Sequence, residues 1–444
     1  MKLTKNKKFQ YCFFSILFFY IIFNGGNSEL IIQINFLLSS CLFFFCLKDK
    51  NYRTQLNTFL IKNKLSIIFY ILFLFYLAFQ ILPLPVSMLK FFSPEKYYYL
   101  NLLDYDFNFS SISLSVSSSF FQILNYISLI TILFILKMIF YTETHKFRFY
   151  KFLSFIGFFS SIVAITFYLY GNPDIFIFKN SFYKDSSTGF FIYRVAFSIF
   201  LIFCFIASLE VLKNIEIKNN KSSKDDFFLK IYIRFFIIFI TIGIITSFSR
   251  IGNFLLLLTI LFYFINETLV QKPKSNSIKY LILIVIIFDI LILGFYFGSN
   301  EIIERFYLLN EEFSYLSISE KNLSRFQIIK FSFYEFQNFF IFGYGSGSFE
   351  DLFKLKYNYS NTFFANHAHS DLIEFFGEFG LFGIILLFIS LASQFKYFNF
   401  FKLECLLLII YAFTILSFDF SLHIPLIQIL FISFLYLNNK QFTQ

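Results

Sequence analysis

The side chains that could do chemistry are concentrated in one stretch, residues 366–383, which reads NHAHSDLIEFFGEFGLFG. It contains two of the four histidines, His367 and His369, and the acids Glu374 and Glu378. A histidine can take a proton from an attacking hydroxyl because its pKa lies near neutrality. The stretch runs directly into an apolar segment, so it predicts one wall of a site on the outer face of a membrane protein.

Structural roles compete with functional ones for each of these residues. An isolated histidine is more often a hydrogen-bonded structural residue than a base, and His367 could serve local structure only. Glu374 and Glu378, four residues apart, share a helix face. They could orient a histidine or solvate the outer side of a short helix, and the second interpretation is slightly preferred. A zinc site has weak support because no third ligand has suitable spacing, so no metal is expected.

Other ionisable residues fall near the same predicted face: Arg194 in TGFFIYRVAF, Arg250 in TSFSRIG, Arg325, and both Asp419 and His423 in DFSLHIP. Arginine is always charged and binds phosphate oxygens through two parallel hydrogen bonds. Two or three arginines at a membrane surface could therefore hold a diphosphate whose lipid tail stays in the bilayer. For each arginine, interfacial snorkelling or a structural ion pair is the competing interpretation.

The composition indicates a membrane protein. Of the 444 residues 58% are hydrophobic, 79 are phenylalanine and only 14% are charged, whereas soluble domains carry roughly 25% charged residues. Repeated apolar stretches match the thickness of a bilayer core and predict an all-α polytopic protein with about twelve spans. The predicted spans are 11–23, 30–47, 66–82, 119–141, 152–170, 189–212, 231–247, 251–266, 280–298, 380–395, 404–419 and 424–437. Asp289, within a span, has no assigned function.

Loop charge predicts the orientation. The loops rich in Lys and Arg are 1–10, 48–65, 142–151, 213–230, 267–279 and 396–402. They alternate with loops poorer in Lys and Arg, so the positive-inside rule makes them and both termini cytoplasmic. The +10 net charge follows this topology, and no nucleic-acid partner is expected. The five cysteines support neither a disulfide framework nor a zinc site. Segment 11–23 lacks a small-residue cleavage site and is interpreted as a retained span.

The long outer loop has room for structure of its own. The apolar spacing over 324–340 predicts an amphipathic helix at the membrane interface. The glycines of Gly343-Tyr-Gly345-Ser-Gly347 are predicted to end this helix. A second short helix is predicted over 371–379. The predicted organisation is a bundle of about nine spans over 1–298, an outer catalytic loop over 299–379, and a bundle of about three spans over 380–444.

Several segments together resemble the O-antigen ligase family. The strongest match is NLSRFQIIKFSFYEFQNFFIFGYGSGSF (322–349) followed by HAHSDLIEFFGEFGLFG (367–383). TSFSRIG (246–252), FDFSLHIP (418–425) and QILPLPVSMLKFFSPE (80–95) resemble further elements of the family in the same order, and the motif-bearing region covers about 189–395. Ser370 stands where the family has asparagine, and TGFFIYRVAF keeps its arginine but lacks the two asparagines, which weakens the inference for Arg194.

The resemblance implies inverting, metal-independent transfer of a glycan from undecaprenyl diphosphate to an acceptor hydroxyl at the periplasmic face of the bacterial inner membrane. It implies no cofactor. The acceptor would be a lipid A-core sugar, or in related members a growing glycan or a protein. Carried onto this chain, Arg250 and Arg325, with Arg194, would bind the diphosphate, and His369 would be the general base. Whether His367 or His369 is the base stays open, and the supporting residues would be His367, Glu378, Asp419 and His423.

A lipid-linked glycan flippase is the alternative of another class, since about twelve spans and a basic cavity suit it equally well. Two observations disfavour it. The chain lacks the repeated halves that many transporters show, and its polar groups gather on one predicted face instead of along the depth of the bilayer.

Overall fold

The structure, a computed structural model, describes residues 5–102, 108–174, 183–217, 224–266, 325–357, 364–394, 397 and 402–438. The predicted span 280–298 with Asp289, and residues 299–324 of the predicted outer loop, lie outside the described residues. Each of the other predicted spans overlaps a helix.

The described residues are almost entirely helical, which confirms the all-α class. Strands β1 (Leu84–Pro85) and β2 (Phe109–Ser110) form one small antiparallel pair, and the turns Asn24–Gly26 and Ser421–His423 are 3₁₀ helices. The α-helices are α1 (Lys5–Ile22), α2 (Glu29–Leu47), α3 (Lys50–Lys62), α4 (Lys64–Ile81), α5 (Val86–Phe92), α6 (Pro94–Leu102), α7 (Val116–Ile139), α8 (Glu143–Leu169), α9 (Arg194–Ile217), α10 (Lys224–Thr246), α11 (Arg250–Ile265), α12 (Arg325–Asn338), α13 (Phe349–Lys356), α14 (Asp371–Ala392), α15 (Leu403–Phe418) and α16 (Pro425–Leu437).

Seven of the described helices, α2, α4, α7, α8, α9, α10 and α14, are long and apolar enough to cross a membrane. A helix satisfies its backbone hydrogen bonds internally, which is why apolar segments in lipid adopt this form. Helices α11, α15 and α16 are apolar but shorter. The chain is therefore a polytopic membrane protein, and about twelve spans and the orientation stay predictions.

Helix α9 lies at the centre of the bundle. Every residue of its stretch 195–212 is buried, and α8, α10, α11 and α16 pack around it. The other six long helices are at most half buried, which suits helices with one face toward lipid. The first residues of α9 consequently lie at one end of the protein interior.

The predicted second short helix is the first part of α14. Residues 371–379 form a helical segment that ends at Gly380, where the backbone leaves the helical region with φ +61° and ψ 176°. Beyond the kink, the amides of Leu381 and Phe382 donate to the carbonyl groups of Phe340 and Ile341 instead of back along α14. Tyr76 and Gln80 on α4 donate to the carbonyl groups of Phe379 and Glu378, respectively, over 3.0 Å each, so α4 holds the kinked segment in place.

The glycine-rich segment ends α12 as the sequence predicts. Gly343, Gly345 and Gly347 all have positive φ, which side chains other than glycine adopt at a cost. A Cβ atom added at Gly343 would lie 2.2 Å from the carbonyl oxygen of Glu378. Glycine is therefore required here because the segment packs its backbone directly against α14.

Candidate functional site

His423 lies among three carboxylates at the start of α14. Its Nδ1 donates a hydrogen bond to Asp371, and its Nε2 lies 3.6 Å from Glu374 Oε1 and 3.5 Å from Glu378 Oε2. The four side chains are at most 3% exposed. Burial opposes a charge on His423, but the carboxylates of Glu374 and Asp371 outweigh it and raise the pKa of His423 well above its ordinary value. The cluster therefore attracts positive charge.

Helical periodicity places the three acids together. Asp371, Glu374 and Glu378 are three and four residues apart, and such spacings put side chains on one face of α14. The preference for a solvated helix face was wrong, because Glu374 and Glu378 are each only 1% exposed. This face points into the protein, where it meets His423.

Glu374 fixes the loop that carries the first two histidines. Its Oε1 accepts a hydrogen bond from His367 Nδ1 over 2.8 Å, and its Oε2 accepts one from the Ala368 amide over 2.7 Å. A carboxylate with both oxygens bonded to one loop holds that loop in a single position. His367, 23% exposed, thus has the structural partner that the sequence left open.

His369 follows in a backbone conformation uncommon for histidine, with φ +58°. Burial, together with the positive charge of Arg325 and the neighbouring His367, lowers the pKa of His369 to about 4. The ring is therefore neutral at pH 7. Among the described residues, its buried Nδ1 has no hydrogen-bond partner.

Two aromatic stacks hold the histidines. Phe420 stacks on His367 with ring centroids 4.4 Å apart and meets the ring of His369 edge-on at 5.3 Å. Tyr193 stacks on Phe420 at 4.3 Å. Phe375 stacks on His423 at 4.2 Å. Because each imidazole ring contacts an aromatic ring, its orientation is set by packing as well as by hydrogen bonds.

Asp419 joins the last turn to the rest of the site. Its Oδ1 accepts a hydrogen bond from the Tyr193 hydroxyl over 2.6 Å, and its Oδ2 accepts from the Ser421 amide over 3.1 Å. Burial raises the pKa of Asp419, and the bonds from Ser421 and Tyr193 and the charge of Arg325 partly offset that effect. Arg325 therefore lies within electrostatic reach of both Asp419 and His369.

The other two arginines begin neighbouring helices. Arg194 starts α9 and Arg250 starts α11. These helices run parallel: a Cβ atom at Gly252, near the start of α11, would lie 2.3 Å from Ser198 Oγ on α9. Near the opposite ends, the Tyr263 hydroxyl donates to the carboxylate of Glu210. Arg194 and Arg250 therefore lie at the same end of the bundle.

Arg194 is linked to the histidine site through aromatic rings. Its guanidinium lies 5.1 Å from the ring of Tyr183, which lies 6.3 Å from the ring of Tyr193. Tyr193 in turn bonds Asp419. The structure thus brings His367, His369, Glu378, Asp419 and His423 together, with Arg325 near them, and places Arg194 and Arg250 at the starts of α9 and α11.

Sequence reasoning missed Asp371 as a site residue. Its Oδ2 accepts a hydrogen bond from the Leu422 amide over 2.8 Å, and its own amide donates to the Asp419 carbonyl over 2.7 Å. These bonds dock the last turn onto the start of α14. The spacing of Asp371 from Glu374 was the available signal, since residues that are three positions apart in a helix lie on the same face.

Comparison with known proteins supports the resemblance read from the motifs. Residues 235–388 match the family model described as O-antigen ligase. This match includes Arg250, Arg325, both loop histidines and the acids of α14, and it ends before Asp419. The resemblance is thereby confirmed. A search of curated proteins found no match to the chain.

Proposed function

We propose that the chain transfers a glycan from undecaprenyl diphosphate to an acceptor hydroxyl at the periplasmic face of the inner membrane, because its residues 235–388 match the O-antigen ligase family model. A lipid A-core sugar is the acceptor that we favour. The observation that carries the proposal is His369, a neutral imidazole whose buried Nδ1 has no hydrogen-bond partner in the described part of the chain and which lies within reach of the charge of Arg325.

His369 is the proposed general base. In the reaction its Nδ1 takes the proton of the acceptor hydroxyl, while the hydroxyl oxygen forms a bond to the anomeric carbon of the glycan. The bond from that carbon to the diphosphate breaks, and its electron pair leaves with the undecaprenyl diphosphate. Attack opposite to the leaving group gives inversion. Proton transfer of this kind contributes typically 10²–10⁴-fold to a rate.

Donor binding would strengthen this base. The pKa of His369 is lowered to about 4 in the free protein, with burial as the largest cause and the Arg325 charge second. A diphosphate bound near Arg325 brings negative charge to the same place, and a nearby negative charge favours the protonated imidazole. The base would therefore gain proton affinity once the donor is in place.

The three arginines are the proposed diphosphate ligands. A diphosphate carries oxygens that match the fork of a guanidinium. Arg194 and Arg250 also begin parallel helices, and helix N-termini carry partial positive charge that favours anions. Arg325 would bind the donor nearest the base. All three would also stabilise the charge that develops on the leaving diphosphate.

The test is complementation of a host from which the gene has been deleted. His369→Ala is compared with His145→Ala, because His145 lies at the other end of the bundle and contacts Asn6. Surface glycan is measured by gel ladder, and membrane-inserted protein is quantified for each variant. We expect His369→Ala to lose transfer while lipid-linked glycan accumulates at the periplasmic face, and His145→Ala to transfer normally.

Two other outcomes change the proposal. Normal transfer by His369→Ala makes His369 the wrong base, and His367 or His423 is then tested. Lipid-linked glycan trapped at the cytoplasmic face of the deletion host, without the protein, identifies a flippase instead. The acceptor alternatives are distinguished in a host with lipopolysaccharide by the product to which the glycan is attached. Glycan on lipid A-core identifies a ligase, a longer glycan identifies a polymerase, and glycan on protein identifies a protein glycosyltransferase.

A further inference from the structure

The acidic cluster on α14 places three buried carboxylates around the imidazole of His423. Asp371, Glu374 and Glu378 are each at most 1% exposed, and the imidazoles in contact with them are His367 and His423. Buried carboxylates are costly unless cations or hydrogen-bond donors compensate them. If all three carboxylates are ionised, a protonated His423 balances one of their charges and leaves two.

The orientation of His423 leaves a gap within this cluster. Because Nδ1 donates to Asp371, the Nε2 atom faces the carboxylates of Glu374 and Glu378. The separations of 3.6 Å and 3.5 Å exceed an ordinary charged hydrogen bond. Among the described residues, neither His423 Nε2 nor Glu378 Oε2 has a hydrogen-bond partner. Two buried polar atoms thus face each other without a bond.

We propose that this gap binds a divalent transition-metal ion of the zinc class. The ligand atoms of His367, Glu374 and His423 all lie within 4.8 Å of one another. Glu378 Oε2, 3.5 Å from His423 Nε2, would move toward these three atoms to complete the set of four. Imidazole nitrogen and carboxylate oxygen are common zinc ligands. Tetrahedral zinc needs ligand atoms about 3.4 Å apart, so small side-chain rotations close the site.

The surroundings of the cluster suit a metal. A histidine that binds zinc usually donates its other ring nitrogen to a carboxylate, which fixes the tautomer. Asp371 is such a carboxylate, because it accepts the hydrogen bond from His423 Nδ1. Binding would displace the proton that His367 shares with Glu374, as metal ligation generally does. An ion would enter from the side of His367, because this ligand is 23% exposed and the other ligands are buried.

The role of the ion would be structural. It would tie the histidine loop, the start of α14 and the last turn to one centre, and these three segments carry His369 and Asp419. Four protein ligands are the usual set of a structural zinc site. The transfer chemistry assigned to His369 does not pass through the ion. The inference therefore stands independently of the proposed function.

The test measures metal in the full-length protein. The chain is purified in detergent with an affinity tag that contains no histidine and without chelator, and metal content is measured by mass spectrometry. We expect roughly one Zn²⁺ per chain and a lower melting temperature after EDTA treatment, which added Zn²⁺ reverses. His423→Gln and Glu374→Gln should lose the ion, and His145→Gln, outside the cluster, should keep it.

The proposal is overturned by wild-type protein that holds no stoichiometric metal after dialysis against Zn²⁺. In that case a proton on His423 supplies the positive charge. Zinc retained equally by both cluster variants also overturns it, because the metal then binds elsewhere. If the variants do not fold, Co²⁺ loaded into wild-type protein decides: visible bands of a tetrahedral nitrogen–oxygen site support the proposal, and their absence refutes it.

Discussion

Tyr193, the residue before α9, donates a hydrogen bond from its hydroxyl group to Oδ1 of Asp419 over 2.6 Å. This bond connects the start of α9 to the turn after α15. The same tyrosine ring stacks on Phe420, which in turn stacks on His367. One side chain thus orients both the buried acid and the aromatic ring that supports the histidine loop. The position of the proposed base depends on this link.

Tyr193→Phe should lower the rate of glycan transfer by roughly tenfold. The ring stack on Phe420 is kept, but buried Asp419 loses a hydrogen bond worth about 1.4 kcal/mol. The measurement is the initial transfer rate in proteoliposomes that contain lipid-linked donor. Tyr183→Phe is the matched control, because its ring contact with Arg194 survives the change. Equal rates for both variants and wild type would show that the link does not position the site.

Much of the local structure could be predicted from the sequence. The helical start of α14 before Gly380, and the break at Gly343, follow from local patterns of apolar residues and glycines. The resemblance to the O-antigen ligase family came from short motifs and was confirmed by the family match. Local periodicity and motif order are properties of neighbouring residues, so a single sequence contains them.

The contacts that build the site could not be predicted in this way. The role of Glu374 depends on whether α14 turns its acidic face outward or inward, and this depends on His423, which lies 49 residues further along the chain. The bond from Tyr193 to Asp419 joins residues that are 226 positions apart. Such pairings depend on how the helices pack, and spacing along one segment does not specify that arrangement.

Gly343→Ala should strongly reduce the amount of folded protein. The added Cβ would meet the carbonyl oxygen of Glu378 at 2.2 Å, and φ is +68°. Gly171→Ala is the control, since Gly171 has a similar φ of +73° but nothing within 4 Å of the added atom. The control should lose about 1–2 kcal/mol from backbone strain alone. Equal melting temperatures of the two variants in detergent would show that the contact with α14 is unimportant.

Gln80→Met should destabilise the kinked segment of α14. The amide nitrogen of Gln80 donates to the Phe342 carbonyl over 2.8 Å and to the Glu378 carbonyl over 3.0 Å. Methionine has a similar length but no donor. Each carbonyl keeps one other donor, the Tyr76 hydroxyl for Phe342 and the Gly345 amide for Glu378, so the expected cost is about 1–3 kcal/mol. The melting temperature measures the effect. Gln33→Met on α2, where the side chain is exposed, should change it little, and a comparable fall there would contradict the assignment.

Arg325→Ala should weaken binding of the lipid-linked donor and lower transfer by about 10–100-fold, because a charge-assisted hydrogen bond contributes about 1.5–3 kcal/mol. Arg325→Lys should recover part of the loss, since lysine keeps the charge but not the fork that matches two phosphate oxygens. The measurement is the dependence of transfer rate on donor concentration in proteoliposomes. Arg53→Ala, an exposed change on α3, controls for lost positive charge. A donor concentration dependence unchanged by Arg325→Ala would assign the diphosphate to other residues.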